Sequence, residues 1–499
     1  MNDEASKVPD VLCPSLYQIN TRVWLTGLSR VLGRCATLDD IQDTELDRLS
    51  ALGFDWIWLL SVWQTGPAAR AISCAHTGWC EEFAATLPDL TEDDIAGSGF
   101  AIRGYTVHRD LGGAEALARL RQRLRRRGLK LMLDFVPNHM APDHDWVDAH
   151  PAYFVQGSES DLVRAPRNYC RVQTSNGPLV FAHGRDPYFD GWPDTLQLDY
   201  GNPALQQAMI GELKRIAGQC DGLRCDMAML LLPDVFERTW GIRAESFWPK
   251  AIEAVRREHP HFLFMAEVYW GLEWTMQQQG FDYAYDKQLY DRLRDGNARR
   301  VREHLHARLD YQQKLARFLE NHDEPRAAAT FGPGQHEAAA VIAFLSPGLR
   351  FFHDGQFQGR RKRISPHLVR APQEAVDANL RGFYAHLMAL LRQPVFREGT
   401  WSLAEIAPAW DGNWTSDCFI AWTWQREDGE RRLVVVNYAG NRSQCHVRIP
   451  FFDLIGTTVR LTDMIGAASF DRDGNDVVSR GLYLDLPPWG YHVFALTAS

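Results

Sequence analysis

"DGLRCDMAML", Asp221 to Leu230, decides how this chain is read. Its apolar residues make a short buried strand that runs into a loop. Yet Arg224 and Asp226 stand two positions apart, on one side of the pleat, among Leu, Cys and Met. Strands like it recur on either side. "SLYQINTRVWL" (Ser15 to Leu25), "FDWIWLL" (Phe54 to Leu60) and "LKLMLDFV" (Leu129 to Val136) precede it. "FLFMAEV", "FDYAYD", "KLARFLE" and "GLRFFH" follow. Helical patterns lie between them, at Thr37 to Gly53, Glu115 to Arg127, Leu205 to Ala217 and Trp248 to His259. A long loop is expected between the second strand and the helix near Glu115.

Eight strand-helix units imply parallel strands covered by helices, and so an α/β fold of the closed (β/α)8 TIM-barrel type. No glycine-rich dinucleotide fingerprint follows the first strand, which argues against an open doubly wound sheet. Two regions break the alternation. Residues 140–200, after the third strand, are loop-rich and polar and read as an inserted subdomain. Residues 394–499 alternate apolar and polar between turns and read as a C-terminal antiparallel β domain. The barrel then takes residues 1–139 and 201–393.

Composition narrows the function classes. A net charge of -9 over 499 residues gives no reason to expect a nucleic-acid or anionic-membrane partner. The basic run Arg119 to Lys130 sits in a helical pattern and reads as a solvated helix face. No apolar run is long enough for a membrane span, and no secretory signal is legible in "MNDEASKVPDVLCPS". Nine scattered cysteines without a CxxC pair fit reduced thiols and a cytoplasmic location. Cys74 and Cys80, close together in the expected loop, read as structural.

The polar exceptions lie at the C-terminal ends of strands, where barrel enzymes carry their chemistry. The third strand closes with Asp134, Asn138 and His139, the fourth with Arg224 and Asp226, the fifth with Glu267, and the seventh with Asn321, His322 and Asp323. A lone Asp after an apolar run is most often a helix cap. Four strand ends converging on one pocket are not explained by capping. Two carboxyl groups on adjacent strands suit glycoside cleavage with retention, which needs them roughly 5–5.5 Å apart. Asp226, beside Arg224, reads as the carboxylate held ionised. Glu267, with no basic neighbour in sequence, reads as the general acid. Asp323 offers a third carboxylate, His139 and His322 offer donors to sugar hydroxyls, and Tyr105 offers a ring face.

"DFVPNH", "GLRCDMA", "FMAEV" and "FLENHD", in that order, resemble the four signature regions of the α-amylase superfamily, glycoside hydrolase family 13. "GYTVHRD" resembles that family's Gly-Tyr stretch, and "LQLDYGNPAL" the segment closing its inserted domain. The similarity covers about Leu16 to Leu391, and the tail is similar to the family's C-terminal β-sandwich. The resemblance implies Asp226 as nucleophile, Glu267 as acid/base, Asp323 as transition-state stabiliser and Arg224 as the arginine beside the nucleophile. It further implies that Tyr105, His139 and His322 grip the sugar at the cleavage site, with Asp134 structural near it. Asn138 matches a calcium-binding position of many α-amylases. No further ligand set is legible in the insert, so no cofactor is expected to be required and structural calcium is disfavoured.

Departures from the family pattern bear on the substrate. Where starch-cleaving relatives often carry Lys and His after the nucleophile, this chain has Met229 and Leu230. Arg326, three residues after Asp323, resembles exo-acting α-glucosidases and either contacts substrate or pairs with an acid. Trp63 and Trp270 are candidates for binding sugar, with packing as the competing reading, as for Trp274. Three readings follow. The first is a retaining hydrolase of small α-glucosides or short α-gluco-oligosaccharides. The second is an α-glucosyl transferase or isomerase with the same double displacement. The third is a catalytically silent sugar-binding protein, which the retained carboxylates disfavour. The oligomeric state is not legible.

Overall fold

The structure, a computed structural model, describes residues 12–498. Its centre is a closed barrel of eight parallel strands, β1 (Ser15–Asn20), β2 (Trp56–Leu60), β3 (Lys130–Phe135), β4 (Gly222–Cys225), β5 (Leu263–Ala266), β6 (Tyr283–Tyr285), β7 (Leu315–Arg317) and β8 (Leu349–His353). Each pairs with its neighbours in chain order, and β1 closes on β8 through Ser15 opposite Arg350. The strands are almost wholly buried, as expected for a sheet with a filled interior and helices outside.

Two boundaries differ from the sequence reading. The first strand stops at Asn20, whose side chain accepts from Val23 N–H (3.3 Å) and starts the helix Thr21–Leu32. Asn is a strong helix-capping residue, and "TRVWL" packs one side of that helix instead of extending the strand. The chain between β2 and β3 is not a loop. It forms a hairpin of Trp63–Thr65 with Ile102–Val107, enclosing the helices Pro67–Ala75 and Thr77–Thr86. Cys74 and Cys80 therefore lie on helices.

The basic run also resolves differently. Arg119, Arg123 and Arg127 recur every helical turn and meet Asp39, Asp43 and Asp47 at 2.7, 2.8 and 2.6 Å. Arg121 and Arg125 both reach Asp221. The helix face is an ion-paired seam, although its exposed pairs contribute little each.

After β3 the chain carries the hairpin Tyr169–Thr174 with Gly177–Ala182. Beyond the barrel, a six-stranded and a three-stranded antiparallel sheet enclose a separate apolar core. Trp422 and Trp424 anchor the larger sheet, both indoles donating to Leu345 O (3.0 and 2.8 Å). Among the described residues no helix is long and apolar enough to cross a membrane.

Candidate active site

Strand register builds the site. Arg224 on β4 sits opposite Asp134 on β3 and Met265 on β5. The ladder continues past the strand ends, with Asp226 N–H donating to Phe135 O (2.8 Å) and Glu267 N–H to Cys225 O (3.0 Å). Asp226 and Glu267 thus stand one step above the Arg224 layer, at the barrel's C-terminal mouth.

Arg224 joins them. Its Nη1 donates to Asp226 Oδ1 (2.6 Å) and, at 3.4 Å, to Asp134 Oδ1, and its Nη2 donates to Glu267 Oε2 (2.7 Å). The guanidinium lies against the rings of Trp58 and Phe100, 5.4 and 5.1 Å from their centroids. A planar guanidinium serves the two carboxylates from separate nitrogens in a fixed geometry. Glu267 is held further by Tyr269 Oη–H on Oε1 (2.7 Å) and by Met227 N–H on Oε2 (2.6 Å). Met227 has φ 43°, a left-handed conformation that non-glycine residues rarely adopt.

These contacts correct two expectations. Burial raises the pKa of Asp226, and Arg224 only offsets it. Glu267 is not free of cations: burial raises it, and the same Arg224 pulls it back. Three carboxylates in one site also raise one another, so they titrate as a unit. Burial pushes Asp134 up to about 7 against the opposing Arg224 and Trp58.

A cleft of about 350 Å³ opens above, with Asp226, Glu267 and Asp323 at its base and Phe100, Trp192 and Tyr269 around them. Asp323 leaves its carboxylate half open to the cleft, 3.0 Å from His322 Nε2. His322 Nδ1 lies 2.8 Å from Gln18 Nε2. The His322 ring stacks on Phe100, with centroids 5.2 Å apart, and burial keeps it neutral. His139 packs against Trp192, and burial lowers its pKa to about 3. Both histidines are therefore neutral hydrogen-bonding groups near pH 7.

One side of the cleft is closed by the helices between β2 and β3. Trp79 and Glu82 face the cleft, and Glu82 pairs with Arg363 from the loop after β8. Lys362 Nζ donates to Thr86 O (3.2 Å), and Ala96 N–H to His367 O (2.8 Å). Phe83, Leu87, Ile95 and Leu368 form an apolar cluster beneath. The two segments make one wall.

Several expected site residues fall elsewhere. Tyr105 is 1% exposed, and its hydroxyl donates to Val136 O (2.8 Å) and accepts from Val136 N–H (2.9 Å). Its ring does not line the cleft, whereas that of Phe100 does. Trp63 is buried against Tyr105, with its indole on Asp134 O (2.7 Å). Arg326 is buried in an ion pair with Glu320 (2.8 Å) and donates to Asp354 O (2.8 Å), so it locks the loop after β7 to the end of β8. Trp270 is half exposed and packs on Tyr188, outside the lining of the cleft, and Trp274 is exposed. Met229 and Leu230 are buried and are not among the residues lining the cleft, so the substrate argument drawn from them falls.

Asn138 Oδ1 accepts from Gln197 Nε2 (3.0 Å), and its Nδ2 lies 3.4 Å from His139 Nδ1. The side-chain oxygen of Asn138 thus already accepts a hydrogen bond from Gln197.

Phe100, Trp192, Asp194, Tyr269 and Arg363 line the cleft and were not singled out by the sequence reading. Tyr269 alone had a signal, two residues after Glu267. Asp194 is buried with Oδ2 unpartnered, and burial pushes it up to about 7.

Comparisons with known proteins agree with this geometry. The family model "Alpha amylase, catalytic domain" matches residues 34–381. α-Amylase MalA of Haloarcula japonica is 25% identical over 334 residues, covering 65% of this chain and 42% of that protein. The trehalose synthase/amylase TreS of Mycolicibacterium smegmatis is 27% identical over 203 residues, covering 36% of this chain and 33% of that protein. The matched segments thus span less than half the length of these two relatives. In fold, the chain is similar to the maltogenic α-amylase AmyB of Thermotoga neapolitana, with a TM-score of 0.68 at 17% identity over 97% of this chain and 98% of that one. With the family model covering most of the barrel, the chain belongs to the α-amylase family.

Proposed function

We propose that this chain is a retaining α-glucoside hydrolase acting on small α-glucosides or short α-gluco-oligosaccharides. The carrying observation is a carboxylate-floored cleft, closed on one side by the Glu82–Arg363 wall. Its volume of about 350 Å³ is at the small end for ligand sites, roughly 300–1,000 Å³. An endo-acting enzyme needs a cleft open at both ends.

In this reading Asp226, anchored by Arg224, attacks the anomeric carbon and forms a glucosyl ester. Glu267 gives its proton to the departing oxygen, and then takes one from the incoming water. Tyr269 and Met227 N–H orient Glu267, and Asp323 faces the positive charge developing on the ring. Phe100 supplies the apolar face beneath the sugar. His139 supplies hydrogen bonds, and His322 stacks behind Phe100 beside Asp323. A glucosyl transferase or isomerase uses the same steps with a sugar hydroxyl in place of water. The relatives named trehalose synthase/amylase favour keeping that second reading.

The test is chain-length preference after opening the wall. The Glu82→Ala, Arg363→Ala double variant is expected to gain on longer malto-oligosaccharides relative to maltose. An unchanged length profile in a folded variant contradicts the reading. Metal independence is part of the proposal, and loss of activity on chelation would overturn it. The cytoplasmic assignment is proposed from the cysteines, all of which are free.

A further inference from the structure

Behind the wall lies a second cavity, of about 890 Å³, larger than the cleft. The same two chain segments separate them. Ile95, Ala96 and Val369 face the cavity, while Ser98, Phe100 and His367 face the cleft. The cavity's charge is unbalanced: Arg22, Arg70, Arg103 and Arg109 line it, against Asp93 and Asp110.

Arg22 is the informative residue. It is 8% exposed, and its partners are Gly97 O (2.8 Å) and Thr65 Oγ1 (2.9 Å), both neutral. Arg70 likewise donates to Ile95 O and Glu92 O, at 2.9 Å each. A buried cation is ordinarily paired with an anion, because desolvation otherwise penalises it. Other buried arginines here follow that rule: Arg224 meets Asp226 and Glu267, Arg317 meets Asp286, and Arg326 meets Glu320. Arg350 is the exception, wholly buried and held by the carbonyls of Cys13, Leu391 and Phe396. Arg22 differs from it by bordering open space. Arg109 is paired only loosely, 3.6 Å from the exposed Asp110, and Arg103 is 3.7 Å from the exposed Asp145.

We propose that this cavity is a second binding site, for a small phosphorylated sugar. Its phosphate would face Arg22 and Arg70, and its hydroxyls would face Gln64 and Thr26. Guanidinium forks match phosphate oxygens bidentately, and a dianion answers more than one of them. The volume exceeds what an inorganic ion needs, and Thr26, Ser29 and Gln64 offer hydroxyl partners among apolar residues such as Leu25, Ile95 and Val369, as a sugar ring with polar edges and apolar faces requires. The site does not depend on the proposed catalytic reading, because its occupancy is read by binding alone.

The test is calorimetric titration of the full chain with glucose 6-phosphate, inorganic phosphate and glucose. Arg22→Gln is set aside as the decisive variant, because Arg22 also holds Gly97 and Thr65. The exposed Arg70→Ala and Arg103→Ala variants are used instead, with unchanged thermal melting as the check on folding. Glucose 6-phosphate is expected to bind one per chain and more tightly than phosphate, with no binding by glucose. Affinity should fall about tenfold in Arg70→Ala, the loss of one charged hydrogen bond. It should fall less in Arg103→Ala, weaken with added salt, and persist in Asp226→Asn. No binding to the intact chain overturns the proposal. So does affinity unchanged in folded Arg70→Ala, or lost in the cleft variant Arg363→Ala. Equal affinity for phosphate alone overturns the sugar part.

Discussion

Replacing Arg224 with Leu removes the one cation that Asp226 and Glu267 share. Its hydrogen bonds to them, at 2.6 and 2.7 Å, are charge-assisted, each contributing about 1.5–3 kcal/mol. Breaking such a buried network costs about 3–5 kcal/mol, since the carboxylates stay buried without the cation. Spread over two groups at 1.36 kcal/mol per pKa unit, that is an upward shift of roughly 1–2 units each. The two are already raised by burial, so the variant carries them further up. A carboxylate raised in the folded state binds protons that the unfolded chain has released. The penalty is therefore absent in acid, below the unfolded pKa, and develops as pH rises through the folded pKa. The acid limb of kcat/KM on 4-nitrophenyl α-glucoside should move up by about 1–2 units, because Asp226 must be ionised to attack. Urea melts of the two proteins should diverge as pH rises from about 4 to about 7. An unmoved acid limb, together with a stability deficit independent of pH, would refute the shared-cation account.

Other perturbations separate site from scaffold. Tyr269→Phe removes the 2.7 Å bond to Glu267, and kcat should fall about 10- to 100-fold with folding unchanged, measured by steady-state kinetics and thermal melting. Tyr105→Phe should do the reverse: it orphans the Val136 N–H and C=O and costs about 1–3 kcal/mol in a denaturant melt, with KM near that of the parent. Asp194→Asn keeps the shape of a buried, unpartnered carboxyl, and should raise KM for small α-glucosides more than it lowers kcat. An unchanged KM would remove Asp194 from the substrate's surroundings.

The barrel was legible because parallel strands buried on both faces leave apolar runs, and charges at their ends stand out. Arg224, Asp226, Glu267 and Asp323 could be found for that reason. The helices Pro67–Ala75 and Thr77–Thr86 could not, since "PAARAISCAHTGWCEEFAAT" mixes small, apolar and polar residues without a clear stripe. The wall they build, and with it the shape of the cleft, stayed hidden. Arg224 and Glu267 are 43 positions apart, and only the pairing of β4 with β5 shows that they share a charge. Tyr105 and Trp63 were misplaced for a related reason. Both are aromatic residues, but they lie on the two strands of one hairpin, ring against ring, with their polar atoms on β3-end backbone rather than in the cleft. Met229 and Leu230 come three and four residues after Asp226, and a short helical turn carries them into the core.

The central claim is a double displacement at Asp226 and Glu267 on a small α-glucoside. Real-time proton NMR of the glucosyl unit passed to water, over a panel of sucrose, trehalose, maltose, isomaltose and glucosylglycerol with that unit isotopically labelled wherever the leaving group is also glucose, tests it most directly. The account predicts cleavage of at least one of these, with the α-anomer appearing first and the β-anomer only by mutarotation. First release of the β-anomer would contradict it.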